Sequence, residues 1–123
     1  IEAMTMLDMA TMDIIPAVIK YKGDVAKSAN ASIALGVDAD EEKEICKDLA
    51  SHIKDATECV NALKSVLQKA HSLGENVTGG RCYHDEVLVA MANLRKVVDE
   101  MELLTAKEYW PVPSYGDLLF SVH

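Results

Sequence analysis

Ile45-Cys46-Lys47-Asp48-Leu49-Ala50-Ser51-His52-Ile53-Lys54-Asp55-Ala56-Thr57-Glu58-Cys59-Val60-Asn61-Ala62-Leu63 carries apolar side chains at Ile45, Leu49, Ile53, Ala56, Val60 and Leu63. The steps are of four and three residues, and Leu67 and Ala70 continue them. This is the spacing of one face of a long α-helix with nearly regular heptads. Upstream, Asp38 and Glu41 have the spacing of a capping box, with Asp in place of the usual Ser or Thr. Asp40, Glu41 and Glu42 load the first turn with the charge the helix dipole favours. Downstream, Gly74 is the natural stop, with Lys69 and His71 close before it. Residues 38–74 therefore read as a helix roughly 50 Å long at 1.5 Å per residue.

A helix of that length with one apolar face needs partners, and the flanking sequence supplies two. Residues 2–35 place Ile14, Val18, Tyr21, Val25 and Ala29 on one face. Pro16 lies inside that pattern and predicts a kink or short break, while Gly23 weakens the helix slightly. Residues 81–107 line up Val87, Met91, Leu94, Val98 and Met101, with Ala90, Val97 and Leu104 beside them. The Gly36-Val37 junction and the polar, Gly-rich connection Glu75-Asn76-Val77-Thr78-Gly79-Gly80 are short enough to reverse the chain. The expected fold is all-α: an elongated antiparallel bundle of three long helices, the first kinked near Pro16, spanning residues 1–108.

Residues 109–123 abandon the helical pattern. Tyr109-Trp110-Pro111-Val112-Pro113-Ser114-Tyr115-Gly116-Asp117-Leu118-Leu119-Phe120 holds the only Trp, the only Phe and two of the four Tyr. Pro111 and Pro113 lack backbone donors and push Trp110 and Val112 toward extended conformations. So aromatic a segment has a large burial incentive, which predicts an ordered arm that docks on a surface. Trp110, Tyr115, Leu118 and Phe120 are the candidate interface anchors, because such side chains commonly fill pockets on a partner.

Composition narrows the function classes. In 123 residues, half are hydrophobic but only 5% are aromatic, so Ala, Val, Leu, Ile and Met must fill the interior. The formal charge of −8 provides no basic patch for nucleic acid and none for an anionic membrane surface. Cys46, Cys59 and Cys82 form no CxxC pair and no even-numbered framework, which fits a reducing cytoplasm. The apolar runs are too short to span a bilayer. The chain starts at Ile1 without an initiator Met and already in a helical pattern, as expected of a fragment of a longer protein.

No catalytic constellation emerges from the spacing. A carboxylate-bridged metal site in a bundle needs Glu-x-x-His, yet Leu49, Gln68, Arg81 and Phe120 precede His52, His71, His84 and His123 by three. Asp48 with His52, and the group Cys82, His84, Asp85 and Glu86, read as charged helix surface. Cys46 and Cys59 adjoin the apolar seam and read as packing residues. Gly79-Gly80 has neither the preceding strand nor the following Lys of a phosphate loop. The acidic residues from Asp38 to Glu44 lack the alternating ligands and central Gly of a calcium loop. Met4, Met6, Met9 and Met12 read as core packing or as a surface covered by further chain.

The two ends of the sequence resemble a known family. Ile1-Glu2-Ala3-Met4-Thr5-Met6-Leu7-Asp8-Met9, continued by Asp13-Ile14-Ile15-Pro16-Ala17-Val18, looks like the start of the C-terminal region of type III glutamine synthetases. Val97-Val98-Asp99-Glu100-Met101-Glu102-Leu103-Leu104, Lys107-Glu108-Tyr109-Trp110-Pro111 and Tyr115-Gly116-Asp117-Leu118-Leu119-Phe120 look like their extreme C-terminus. The resemblance implies a large cytoplasmic oligomer that makes glutamine from glutamate, ammonia and ATP with a divalent metal. In that family the metal, nucleotide and glutamate ligands lie in an upstream catalytic domain. None of those motifs stands here, so the segment itself is expected to hold no catalytic residue, cofactor or metal. Its expected partners are the catalytic domain of its own chain and neighbouring subunits of a homo-oligomer. A stand-alone helical adaptor or oligomerisation module is the alternative that the heptads alone support, and a small bundle enzyme or metal carrier is a third.

Overall fold

The computed structural model describes residues 2–73 and 77–113, with side chains for residues 2–72 and 84–113. Every described element is helical, and there is no strand among the described residues. The order is α1 (Ala3–Asp8), a π-helical segment (Met9–Ile14), α2 (Ile15–Ala34), α3 (Asp40–Leu73), α4 (Val77–Leu104) and a 3-10 turn (Lys107–Tyr109). No described helix is long and apolar enough to cross a membrane.

The long helix begins one step later than the capping-box spacing implies. Lys43 N–H donates to the Ala39 carbonyl at 3.0 Å, so Ala39, itself buried, takes the cap position. Glu2 caps the first helix, accepting from Met4 N–H at 3.1 Å. At Pro16 the irregularity takes the form of the π segment just upstream. The Ile15 N–H reaches back five residues to the Ala10 carbonyl, and Thr11 Oγ1 donates to the Leu7 carbonyl at 2.8 Å. A proline ring crowds the carbonyl four residues before it, here Met12, and widening the preceding turn relieves that contact. Pro16 follows directly on that widened turn, inside a helix that runs on through Ala34.

Between α2 and α3 the chain reverses through a Schellman motif. Val37 N–H donates to Ser32 O at 2.9 Å and Gly36 N–H to Ile33 O at 3.0 Å, with Gly36 at φ +78°. A side chain is strained in that left-handed region, so Gly36→Ala should destabilise the chain by about 1–2 kcal/mol in urea unfolding. An unchanged midpoint would show that the motif does not fix the reversal. The second connection is shorter than its composition suggests. Val77, Thr78, Gly79 and Gly80, expected in the loop, lie in α4, which therefore starts four residues before Arg81 and ends at Leu104 rather than Lys107. Gly74, the expected stop of α3, lies outside the described residues.

Central helix α3 packs against both α2 and α4. One core cluster joins Leu7 and Ala10 to Val60 and Leu63 of α3 and to Val87, Ala90 and Leu94 of α4. A second joins Ile14 and Val18 to Leu49, Ala56 and Met101. As the N-terminal helix advances from Leu7 to Val18, its partners on α3 run backward from Leu63 to Leu49, so the two are antiparallel. The Lys69–Glu86 ion pair at 3.1 Å and the His52–Glu100 contact at 3.2 Å give α3 and α4 the same relation.

Candidate functional site

After α4 the chain does not leave the bundle directly. Thr105 N–H bonds the Met101 carbonyl, and the 3-10 turn follows, with Tyr109 N–H donating to Ala106 O and Trp110 N–H to Lys107 O. Trp110 then adopts φ −74° and ψ 117°, the extended conformation that Pro111 imposes on its predecessor. This turn carries the first two aromatic residues of the arm back over the bundle.

Tyr109 hydroxyl donates to Asp24 Oδ2 at 2.6 Å, and its ring lies 5.0 Å from that of Tyr21, tilted by 51°. Trp110 packs, half-buried, on the cluster of Ile14, Val18, Leu49, Ala56 and Met101. Its indole Nε1 is buried without a hydrogen-bond partner, as is Thr105 Oγ1 nearby in sequence. Beside the indole lies an apolar depression of about 220 Å³, lined by Met6, Met9, Val98, Val112 and Pro113 and rimmed by Arg95 and Glu102. Of the four candidate anchors, Trp110 is thus seated at this depression. Tyr115, Leu118 and Phe120 lie outside the described residues.

The Tyr109 hydroxyl is pushed up to about 12, first by donating its hydrogen bond to the Asp24 carboxylate, then by desolvation and neighbouring negative charge. The raised value in the folded chain means the bond stabilises the neutral phenol. Its contribution is whole below the ordinary tyrosine value of 10 and is lost as pH rises through about 12. Ultraviolet titration should therefore show one late-ionising tyrosine, which Tyr109→Phe abolishes with a lower melting temperature. A late tyrosine that survives this substitution would place the strong hydrogen bond elsewhere.

The histidine and cysteine groups show no assembled chemistry. His52 Nδ1 bonds the Asp48 carbonyl at 2.7 Å and Nε2 bonds Glu100 Oε2 at 3.2 Å. Both ring nitrogens are thus occupied by contacts within the bundle. Cys46 Sγ donates to the Lys22 carbonyl at 3.7 Å, tying α3 to α2. Burial pushes the Cys59 thiol up, with Asp55 and Glu58 adding to the effect, the reverse of what a nucleophile needs. Among the described residues, no three His, Cys, Asp or Glu side chains gather where they could hold a metal. His123 and the side chain of Cys82 lie outside what is described.

Comparison with known proteins gives two informative matches. A glutamine synthetase of Butyrivibrio fibrisolvens is 30% identical over 125 residues, covering 99% of this chain and 18% of that protein. The type-3 glutamine synthetase of Dictyostelium discoideum is 27% identical over 127 residues, covering 98% of this chain and 17% of that protein. This chain therefore spans less than a fifth of the length of the relatives it matches. No family model matches it, and no solved structure does. The resemblance to type III glutamine synthetases, carried in the sequence by its two ends, is thereby shown over the whole chain.

Proposed function

We propose that this chain is the non-catalytic, helical C-terminal domain of a type III glutamine synthetase, the parent being an ATP-dependent glutamate–ammonia ligase of the cytoplasm. The observation that carries the reading is the asymmetry of the match: nearly the whole chain aligns, but with under a fifth of each synthetase. The domain packs on the catalytic domain of its own chain or on a neighbouring subunit of a homo-oligomer. Trp110 anchors the start of the arm at the depression beside Met6 and Met9, and Tyr115, Leu118 and Phe120 engage the larger body. ATP and the divalent metal belong to the rest of the parent.

The test is a comparison of the isolated chain with the complete parent enzyme. Supplied with glutamate, ammonia, ATP and magnesium, the complete enzyme should form glutamine and the chain alone should form none. Glutamine formation by the chain alone would overturn the reading. The alternative, a stand-alone adaptor, has in its favour the exposed Leu88, Val89 and Leu103 of α4. It requires a defined dimer of the chain in sedimentation without any further polypeptide.

A further inference from the structure

A groove of about 610 Å³ runs between α3 and α4, and no residue of α1 or α2 lines it. Its floor is small and apolar: Cys59, Ala62 and Val66 from α3, with Val89 and Ala90 from α4. Val89 is 61% exposed, an unusual position for a β-branched apolar residue facing other apolar groups. Beyond its two ends α3 and α4 are joined by the Lys69–Glu86 ion pair and the His52–Glu100 contact. The groove lining runs from Glu58 to Val66 on α3 and from Asp85 to Asn93 on α4, about 12 Å along each helix, enough for two to three turns of a docked helix. Three helix segments around a core leave this face of the α3–α4 pair in the position a fourth helix takes in a four-helix bundle.

The rim identifies the occupant. On the groove itself Glu86 is paired with Lys69, but Glu58 and Asp85 have no ion pair among the described residues; nor does Asp55, which lines an adjoining depression that shares Glu58, Cys59 and Asn93. Lys96 is the one cation lining that adjoining depression, and none lines the groove. An apolar floor between carboxylates is complementary to a helix with an apolar stripe flanked by Lys or Arg. A second copy would set the same carboxylates against each other on a chain already at −8. Nucleic acid and anionic lipid are repelled by the same charges. The relatives carry more than four fifths of their length outside the matched segment. Polypeptide tethered in this way reaches the groove at high effective concentration.

We infer that the α3–α4 groove seats an amphipathic, basic-flanked helix of the remaining synthetase polypeptide, an inference that rests on the function proposed above. Helix packing against Ala62 and Ala90 brings the backbones close, and the flanking cations meet Asp55, Glu58 and Asp85. Cys59 lies on the floor and becomes covered when the groove is filled.

Cys59 also reports the answer. Alkylation with a maleimide at mildly alkaline pH, mapped by peptide mass, should label Cys59 in the isolated chain. In the complete synthetase it should label at least about tenfold more slowly, as expected where the open form is a minor population. Val89→Lys, which fills the groove with a cation from an exposed position, should restore labelling in the complete enzyme while leaving the melting of the isolated chain unchanged. Ala62→Lys, also exposed, gives the same test should the first variant fold poorly. Equal labelling in the chain and in an active, assembled synthetase would overturn the groove but leave the function standing. Protection that survives both Lys variants would overturn it as well. So would protection that rises with the concentration of the isolated chain, because the occupant would then be a second copy. A natural protein with no synthetase sequence beyond this segment would overturn both.

Discussion

Leu63→Ala should lower the unfolding free energy of the chain by about 2–5 kcal/mol. The side chain is fully buried where three segments meet, touching the cluster of Leu7 and Ala10, of Val60, and of Val87, Ala90 and Leu94. Truncation removes transfer free energy and leaves a cavity that three helices can close only by moving toward one another. A total stability of about 5–15 kcal/mol makes this a large fraction of the whole. Ile45 occupies the same heptad register but is 38% exposed, so Ile45→Ala should cost about 1 kcal/mol or less. Denaturant titration of both variants decides the matter. Equal losses would mean that the N-terminal helix and α4 do not close over Leu63 as described.

Trp110→Ala should weaken the chain by about 2 kcal/mol, below the loss for a fully enclosed indole because Trp110 is half-buried. In the parent enzyme the same substitution should also loosen assembly, seen as a smaller oligomer or a lower melting temperature. Trp110→Phe separates packing from hydrogen bonding. The indole Nε1 is buried without a partner, so its removal should be nearly neutral in the isolated chain. A clear loss with Phe in the complete enzyme, beside neutrality in the chain, would show that the N–H finds an acceptor on assembly. Unchanged oligomer size together with unchanged melting for Trp110→Ala would remove Trp110 as an anchor.

Much of this architecture is legible in the sequence because burial and period agree. Leu49, Ala56, Val60, Leu63 and Ala70 are all buried at the heptad positions of α3. Val18 and Ala29 in the first helical pattern, and Val87, Leu94 and Met101 in α4, follow the same rule. Ile45 departs from it because an apolar repeat near a helix end says nothing about whether a neighbour extends far enough to cover it. The early start of α4 departs for a different reason. Gly79 and Gly80 have poor helix propensity, about 1 kcal/mol each relative to Ala, a weak prior that context overrides. The π segment between Met9 and Ile14 was not legible: Pro16 predicts a kink or short break, and no sequence pattern points to a widened turn upstream of it. The seat of the arm was the least legible part. Tyr109 meets Asp24 across 85 residues of sequence, and no periodicity encodes a contact of that range. The groove between α3 and α4 was equally hidden, since Cys59 reads as a seam packing residue and Ala62 and Val89 carry no signal of their own until the two helices are placed side by side.

The most direct test of the central claim is the intact mass of the natural protein, captured from its source with an antibody raised against this chain and assayed for glutamine formation. The account predicts a polypeptide several times longer than 123 residues, forming glutamine from glutamate and ammonia with ATP. A natural polypeptide of the chain's own mass of 13.4 kDa, without ligase activity in the captured material, would contradict it.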